Sequence, residues 1–428
     1  MPVTKAHPSL VQNRYVVLGA ACMVLFIGIG TVNTFGIFEE HYTNHTLRNE
    51  PPERIIVIGS TAASLYMILG VFAGRAADLI GYRPCVFIGS VLMAGANFAA
   101  SISTTYAQLL ASQGVMFGLG LAFAYLPAVS ISRALFPGSH GVANGVVVSG
   151  GAVGGTALPY VVRTLIASRG LGESFRILGY ISVAALAPAC LLLRPPTPTV
   201  PIWKRQAVNG RRPPIFDLSL FRDARFTSLL TACAVAMFGF LPRYFLLPSS
   251  AIARGISPTF TAWLLGLMNG LSIIGRVGVG WYADRYGKVS ALNLSFILCG
   301  AGHLAFWLPG VMVPHAQGQT TITALFTSFV VYSGIFGSGF IALFPVVVAH
   351  LFGAENLASK QGLLNTVVGV GVLAGPSAAY AVVGVGEGRR WELGIVMAGS
   401  FMLCGGLLLW VLLSRPLKLA ERTRRTSV

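Results

Sequence analysis

Charged side chains are scarce in this chain of 428 residues. Asp, Glu, Lys and Arg together make up 10% of it, against about 25% in an average soluble domain. Apolar residues make up 54%, and the mean hydropathy is +0.73. A soluble protein of this length would not have enough polar residues to cover its surface. The shortage of charge therefore argues against a soluble protein and predicts a chain embedded in a lipid bilayer.

Cysteine pairs and the usual catalytic motifs are also missing. The 6 cysteines form no CxxC pair, so neither a zinc site nor a disulfide framework is indicated. The chain has no HExxH or G-x-S-x-G motif, which argues against a membrane enzyme. The glycine-rich stretch 141–155 lies in an apolar run and follows no strand, so it is not a nucleotide-binding loop. We therefore expect no metal, no cofactor and no enzymatic activity.

Acidic residues are the rarer charged group, with 13 of them against 30 Lys and Arg. None falls in the middle of an apolar run, where a proton relay would need an ionisable group. The remaining candidates for proton coupling are Glu39 and Glu40, at the outer end of the first run, and His303 in the ninth. Each has an ordinary structural or interfacial alternative, so the sequence leaves a coupling proton open.

Long apolar runs recur along the whole chain. Twelve of them are long enough to cross a bilayer as helices. They cover residues 14–38, 55–77, 84–102, 106–134, 140–168, 174–194, 224–250, 258–282, 289–309, 320–350, 357–385 and 391–414. The predicted fold class is an all-α integral membrane protein with twelve transmembrane helices.

A proline-rich, basic stretch divides these runs into six and six. The predicted organisation is a cytoplasmic tail at 1–13, a six-helix bundle at 14–194, a linker at 195–223, a second six-helix bundle at 224–414 and a tail at 415–428. The two halves repeat each other, because the motif G-x-x-A-D-x-x-G follows the second run at Gly74 and the eighth at Gly280. Repeated six-helix bundles are typical of secondary transporters.

The net charge of +17 indicates orientation rather than nucleic-acid binding. With both termini in the cytoplasm, twenty of the 30 basic residues fall on the cytoplasmic side and nine on the outer side. The remaining one, Arg276, is assigned to neither side and lies inside a run. Because basic residues collect on the cytoplasmic side of membrane proteins, we predict that both termini are cytoplasmic. The plasma membrane is the expected location.

The repeated motif identifies a family. The stretches 74–83 and 280–288 resemble the signature loop of the major facilitator superfamily. The resemblance implies two six-helix bundles that work by alternating access on a small-molecule substrate, with one chain as the functional unit. It also implies that the loops control the conformational change, with Asp78 and Asp284 forming cytoplasmic charge clusters with Arg83, Arg285 and Lys288 and approaching helix ends. The gating residues are then Gly74, Asp78, Gly81, Arg83, Gly280, Asp284, Arg285 and Gly287.

Three further stretches resemble a fungal branch that is related to the monocarboxylate transporters. They are GTVNTFGIF at 30–38, RALF at 133–136 with the glycine-rich block at 140–155, and PRYFLLP at 242–248. Animal proton-coupled lactate carriers have a lysine in the first span and an aspartate one turn before an arginine in the eighth. Here the first span has no lysine, and Ser272 stands one turn before Arg276. The resemblance therefore implies only part of the proton-linked lactate machinery.

Two arginines lead the candidates for substrate contact. Arg276 lies within a span, where an arginine needs water or a partner. Its guanidinium can bind a carboxylate with two hydrogen bonds. Alternatively, it braces the signature loop through Asp284. Arg243 lies between two prolines in span seven; alternatively it reaches the outer headgroups. The other candidates lie in spans that line the cavity in this superfamily: Asn33, Tyr125, Tyr244, Asn269 and Asn365. Alternatively, the amides join neighbouring helices and the aromatic rings pack in the protein or contact lipid.

The predicted function is a secondary active or facilitative transporter of a small organic anion or carboxylate-bearing metabolite. One alternative is an efflux pump for a fungal secondary metabolite or toxin that is encoded with its biosynthetic pathway. A less favoured alternative is a transporter-like nutrient sensor. The expected partners are the substrate and the lipid bilayer, and no nucleic acid. Asn44, in a sequon within the predicted first outer loop, is a weak candidate for glycosylation.

Overall fold

The computed structural model describes residues 13–193, 218–314, 318–353, 356–384 and 390–414. Throughout these ranges the regular structure is helical, with no strand, which confirms the all-α fold class. The predicted tails, apart from residue 13, and the predicted linker up to residue 217 lie outside the described residues.

Nine α-helices belong to the first half of the sequence. They are α1 (Arg14–Asn33), α2 (Phe35–His41), α3 (Pro52–Ile68), α4 (Gly70–Ile80), α5 (Tyr82–Ser101), α6 (Tyr106–Leu109), α7 (Phe117–Leu135), α8 (His140–Arg169) and α9 (Leu171–Leu192). π-Helical turns extend or connect some of them, at Tyr42–Thr46 and Leu110–Met116.

Nine further α-helices belong to the second half. They are α10 (Ala224–Phe240), α11 (Pro242–Ala253), α12 (Pro258–Tyr286), α13 (Lys288–Gly302), α14 (Leu308–Met312), α15 (Gln319–Gly337), α16 (Gly339–Phe352), α17 (Leu357–Val383) and α18 (Trp391–Leu409). The π-helical turns here are His303–Trp307 and Trp410–Ser414.

The predicted number of membrane spans is confirmed. Within the described ranges, eleven helical stretches are long and apolar enough to cross a membrane, and α3 with α4 makes a twelfth that is bent by 50°. We number these spans one to twelve in chain order. Most agree with the predicted runs within a few residues, but span one continues to Thr46. The reason is that Phe38 and Tyr42 lie one turn apart and are both buried, so the helix keeps an apolar face beyond the predicted end.

Four spans are interrupted by a single non-helical residue. These residues are Thr34 in span one, Leu69 in span two, Leu241 in span seven and Ser338 in span ten. At the first break, the Thr34 hydroxyl donates to the carbonyl oxygen of Gly30 at 2.8 Å and so satisfies a backbone group at the helix end. Broken helices at membrane depth are tolerated where the backbone is buried in protein or lines a cavity. The breaks therefore mark candidate positions for a substrate site.

The chain divides into two compact units. The first comprises Met1–Ala143, Val147–Pro213 and Asn356–Gly362, and the second comprises Asn144–Val146, Pro214–Glu355 and Leu363–Val428. Each unit thus includes a short segment that the sequence assigns to the other half. In the second unit, for example, the Asn144 side chain donates to the carbonyl oxygen of Ala342 at 2.5 Å.

Glycine contacts and a buried aromatic group hold the first unit together. A Cβ on Gly30 would lie 2.8 Å from the Cα of Gly154, so α1 and α8 touch through their backbones. The ring of Phe38 stacks on Phe175 with centroids 4.5 Å apart. Beside it, the Tyr42 hydroxyl donates to Oε1 of Gln113 at 2.8 Å. This last bond joins span one to the π-helical turn of span four.

The core of the second unit contains a cluster of large aromatic rings. Trp307 stacks on Phe329 with centroids 4.9 Å apart, and Phe326 is buried in the same cluster. The indole Nε1 of Trp307 donates to the Ser250 hydroxyl at 3.2 Å, so its polar atom is satisfied although the ring is buried.

The described end of the predicted linker is partly helical. Residues Leu218–Arg222 form a short 3₁₀ helix, and Asp223 then caps α10 by accepting the backbone N–H of Arg225. The Arg225 guanidinium also hydrogen-bonds this carboxylate and holds the pKa of Asp223 below its ordinary value. The capping aspartate thus fixes where span seven begins.

Candidate functional site

Arg243 is the second residue of α11, and none of its surface is exposed. The local sequence explains its position. α10 ends at Phe240 because Pro242 has no N–H to continue the helical ladder and its ring restricts the preceding residue. Proline is well suited to the first position of a helix, so α11 begins at Pro242. The break in span seven therefore fixes Arg243 in the first turn of a new helix.

Neutral groups surround the guanidinium of Arg243. Its Nη1 donates to the Ser333 hydroxyl at 2.6 Å, and its Nη2 donates to the Ser338 hydroxyl at 3.1 Å. Nη2 also donates to the Tyr244 hydroxyl at 3.2 Å. The guanidinium carbon lies 4.1 Å from the ring centroid of Phe240, within the range of a cation–π interaction. Because Ser338 is the break of span ten, Arg243 connects the breaks of spans seven and ten.

Gly337 leaves the space in which the guanidinium lies. A Cβ at this position would overlap Nη1 of Arg243 and would lie 3.0 Å from the Ser333 hydroxyl. Gly337 is also the last residue of α15, directly before the break at Ser338. A small residue is therefore needed here for Arg243 to reach both serines.

No acidic residue in the described ranges forms a salt bridge or a hydrogen bond with Arg243. Its Nε is buried and has no hydrogen-bond partner in the same ranges. Burying a charge without an opposite charge costs free energy, and hydroxyl groups offset only part of that cost. The cluster thus has an uncompensated positive charge on a planar group that suits a carboxylate.

The sequence interpretation named Arg243 and Tyr244 but missed the rest of the cluster. Ser333 and Ser338 lie 90 and 95 residues further along the chain, so their pairing with Arg243 is a tertiary contact. The sequence does contain a local signal for the helix break at Ser338. This residue stands between Gly337 and Gly339 in an otherwise apolar run, a composition that favours a break.

Arg276, the leading candidate, is also buried, with 6% of its surface exposed. Ser272, one turn before it, donates its hydroxyl to the carbonyl oxygen of Asn269 in the same helix at 2.6 Å. A Cβ on Gly145 would lie 2.6 Å from the backbone oxygen of Arg276, so the 144–146 segment packs closely on α12. Asn365 is buried in α17. Substrate contact by these residues stays a prediction.

The candidates of the first unit lie on α1 and α7. Tyr125 is buried in α7, and its ring meets Tyr66 edge to face with centroids 5.4 Å apart. Asn33 is exposed at the last turn of α1, where a Cβ on Gly155 would lie 2.6 Å from its Nδ2. Their contact with substrate also stays a prediction.

The two signature loops have the same backbone. Gly81 separates α4 from α5 with φ 97°, and Gly287 separates α12 from α13 with φ 111°. A residue with a Cβ is strained in this conformation, which explains the repeated glycine. At the start of the first motif, a Cβ on Gly74 would overlap the carbonyl oxygen of Ala358, in a segment that belongs to the first unit.

Asp78 binds the beginning of a helix. Its carboxylate accepts the backbone N–H of Ser359 at 2.9 Å and the hydroxyl of the same residue at 2.5 Å. Ser359 is the third residue of α17 and belongs to the first unit. The first N–H groups of a helix have no partner within it and attract negative charge. The structure thus places Asp78 at a helix end, and its role in gating stays a prediction.

The basic residues of the signature loops bind elsewhere. Nε of Arg83 donates to the carbonyl oxygen of Cys190 at 3.1 Å. The Arg285 guanidinium lies over the rings of Trp281 and Tyr286, 5.6 and 5.9 Å from their centroids. Within the described part of the chain, neither arginine forms a salt bridge. The expected charge clusters with these arginines are therefore not seen, because a carbonyl group and aromatic faces take their place.

Asn44 lies in the π-helical turn that extends span one rather than in an open loop. Its side chain is exposed, and its carbonyl oxygen accepts a hydrogen bond from Nε of Arg48. The prediction of glycosylation at Asn44 stays untested.

Comparison with known proteins adds a family and a fold. Residues 18–317 match the family described as Major Facilitator Superfamily. The chain is 29% identical over 392 residues to the MFS transporter asaE of Aspergillus flavus, covering 91% of this chain and 84% of that one. It is 26% identical over 359 residues to the Fujikurins efflux protein of Gibberella fujikuroi, covering 84% and 73%. Among solved structures, the human organic anion transporter MFSD10 has a TM-score of 0.66 at 17% identity, covering 93% of this chain and 99% of that one.

Proposed function

The chain belongs to the major facilitator superfamily of membrane transporters, and we propose that it exports a small metabolite that bears a carboxylate or a similar anionic group. As a member of this family it is a multi-pass membrane protein that moves small molecules across a lipid bilayer, and it is not an enzyme. The proposal adds the chemistry of the substrate and the direction of transport.

The observation that supports an anionic substrate is the buried, uncompensated charge of Arg243. In the described ranges its partners are hydroxyl groups, a thiol, a carbonyl oxygen and aromatic rings, and none is an anion. A carboxylate that reached the guanidinium would replace weak neutral acceptors with a charge-assisted, bidentate pair. The gain in free energy on binding would therefore be specific to anions.

Two comparisons support the proposal. The Fujikurins efflux protein of Gibberella fujikuroi is an exporter by name, which favours export of a fungal secondary metabolite over uptake. The fold neighbour MFSD10 is named an organic anion transporter, which is compatible with an anionic substrate here. Uptake of a small organic anion, in secondary active or facilitative transport, is the alternative direction.

Finer features of the proposal rest on the sequence. We infer that the chain lies in the branch related to the monocarboxylate transporters, from the stretches at 30–38, 133–155 and 242–248. The distribution of basic residues favours cytoplasmic termini, and the plasma membrane is the natural location for an exporter. One chain is inferred to be the functional unit. The further substrate contacts that we propose are Arg276, Asn33, Asn269, Tyr125, Tyr244 and Asn365.

The experiment uses the full-length protein in lipid vesicles. The probes are hexanoate, benzoate, 1-naphthoate and anthracene-9-carboxylate, each with its neutral methyl ester, and the initial rate of transport is measured for the wild type. The matched variants are Arg243→Gln and Arg176→Gln. Arg176 is an exposed arginine on α9 that pairs with Glu173, so its variant controls for the loss of one positive charge.

We expect the wild type to transport at least one carboxylate and Arg243→Gln to lose that activity, while Arg176→Gln keeps it. Passive flux of each ester is measured in empty vesicles and subtracted. Equal transport of a carboxylate by the wild type and by Arg243→Gln would overturn the proposed role of Arg243. Transport of esters but of no carboxylate would overturn the anionic substrate itself.

A further inference from the structure

His303 lies in the core of the second unit, in the π-helical turn His303–Trp307. None of its surface is exposed. Its ring lies 5.6 Å from the ring centroid of Trp307 and 5.1 Å from that of Phe329. On the remaining side, a Cβ on Gly399 of α18 would lie 3.1 Å from the His303 Cβ. An ionisable side chain is thus enclosed by apolar groups at a place where the helix geometry changes.

The hydrogen bond of His303 fixes its tautomer. Nδ1 lies 2.7 Å from the carbonyl oxygen of Cys299. A carbonyl oxygen can only accept, so Nδ1 carries the proton and Nε2 of the neutral ring carries the lone pair. Nε2 is buried and has no hydrogen-bond partner among the described residues. The imidazole therefore has a vacant proton-binding atom within the membrane-spanning part of the protein.

Cys299 connects this imidazole to Arg243. Its carbonyl oxygen accepts from His303, and its thiol sulfur lies 3.8 Å from Nη1 of Arg243. The two basic groups thus contact the same residue from different sides. A proton on His303 would place a second positive charge beside the first in surroundings that screen charge poorly. An anion at Arg243 would remove that repulsion and would favour protonation of His303.

Other ionisable groups near His303 are few. On the packed helices, α13 contributes Cys299 and begins at Lys288, α11 contributes Arg243 and Tyr244, and α14 has no ionisable residue. α15 contributes Tyr332, and α18 carries Glu392 and Cys404, both more than one helical turn from Gly399. In the described ranges no carboxylate pairs with either basic group. A bound anion is therefore the group that completes the charge balance.

We propose that His303 is a proton-binding site coupled to the anion site at Arg243, so that one proton is bound and carried together with each anionic group. The proposal rests on the proposed function, because it needs an anion at Arg243. The proton passes from water to Nε2 when the anion binds, and it returns to water on the side where the anion leaves. No covalent bond other than this N–H forms or breaks. Proton and substrate therefore move in the same direction.

The first test needs only the wild-type protein. The probe is whichever carboxylate of the four above is transported fastest, and binding is followed in weakly buffered detergent solution with a pH-sensitive dye. We expect uptake of about one proton per bound anion. Over the pH range in which His303 is neutral, the affinity should rise about tenfold for each unit by which the pH is lowered. Binding without proton uptake would overturn the inference and leave the proposed function intact.

The second test separates proton binding from structure. His303→Asn keeps an N–H group near the position of Nδ1, so it retains the donor to Cys299, but it cannot take up a proton. We expect it to bind the probe with an affinity that no longer depends on pH and with proton uptake reduced at least about tenfold. His45→Asn is the matched control, because His45 is exposed in the outer turn of span one. An unchanged pH dependence in His303→Asn would overturn the inference.

Discussion

The first span of each half is interrupted at a matching place, but the side chains beside the two breaks differ in charge. Thr34 breaks span one and Leu241 breaks span seven, at nearly the spacing that separates Gly74 from Gly280. At the first break a threonine hydroxyl binds its own helix. At the second, Arg243 connects to the break of span ten.

The polar links between the first and the fourth span of each half also differ in their charge. In the first half, the Tyr42 hydroxyl donates to the carbonyl oxygen of the Gln113 side chain, and both groups are neutral. In the second half, Arg243 binds Ser333 and Ser338 and keeps its charge uncompensated. The repeat thus interrupts the first span of both halves, and the second half provides the charge beside its break. Recognition of an anion should therefore depend on the second half more than on the first.

The largest expected effect comes from Arg243→Met, which removes the charge from the second half. We expect carboxylate transport to fall by at least about tenfold, since a hydrogen bond to a charged group contributes about 1.5–3 kcal/mol. The melting temperature in detergent should stay the same or rise, because replacing a buried charge with an apolar residue is often stabilising. A transport assay checks the first expectation, and thermal unfolding in detergent checks the second. A variant that no longer folds would show that Arg243 serves the structure.

A large effect is also expected at the signature loop. Asp78→Asn removes the negative charge at the start of α17, and we expect transport to fall several-fold while surface expression persists. Asp284→Asn should act in the same direction if the two loops share their function as they share their backbone. Rates are normalised to surface expression by quantitative labelling. Normal transport by both variants would contradict the proposed control by these loops.

Gly337→Ala and Gly36→Ala form a matched pair for the two halves. A Cβ at Gly337 overlaps the Arg243 guanidinium, whereas a Cβ at Gly36 meets nothing within 4 Å. We expect Gly337→Ala to weaken the apparent affinity for a carboxylate by about threefold to tenfold, since the guanidinium must shift away from its serines. Gly36→Ala should leave the affinity unchanged. Equal effects of the two substitutions would contradict the difference between the halves.

The smallest effect is expected from Tyr42→Phe. It removes one neutral hydrogen bond from the first half and leaves Gln113 without that donor, a loss of about 1 kcal/mol in the free energy of unfolding. We expect a slightly lower melting temperature and normal carboxylate affinity, measured by thermal unfolding and by a binding titration. A loss of affinity as large as that of Gly337→Ala would show that the neutral link also takes part in recognition.

The sequence predicted the spans well, because apolar runs of bilayer length depend on composition alone. The repeat of Gly81 and Gly287 was equally visible, since a positive φ restricts the residue type. The breaks at Thr34 and Ser338 were not predicted: no proline follows either residue directly, and the glycines on both sides of Ser338 were the local signal that was missed. At Ser338 the break also takes part in a tertiary contact, the hydrogen bond from Arg243.

The candidate site was predicted only in part for the same reason. Arg243 could be named because a charge within an apolar span is conspicuous. Its serine partners could not be named, because most serines in membrane helices bind their own backbone, as Ser272 does here. The partners of Arg83 and Arg285 were predicted as acids, since charge pairing is the simplest expectation, and the structure gives them a carbonyl group and aromatic rings instead.

The close fit of Gly337 against Arg243 has a consequence for sequence variation. A Cβ at position 337 would overlap the Arg243 guanidinium, whereas the Ser333 hydroxyl at 3.0 Å and the Cys299 sulfur at 3.2 Å would be close neighbours, so the arginine is the main obstacle to a larger residue. In homologous chains without an arginine at 243, we expect larger residues to be accepted at 337. The two positions should therefore change together over evolutionary time, although they lie in different helices. Such joint variation would mark the members of the family that have exchanged an anionic substrate for a neutral one.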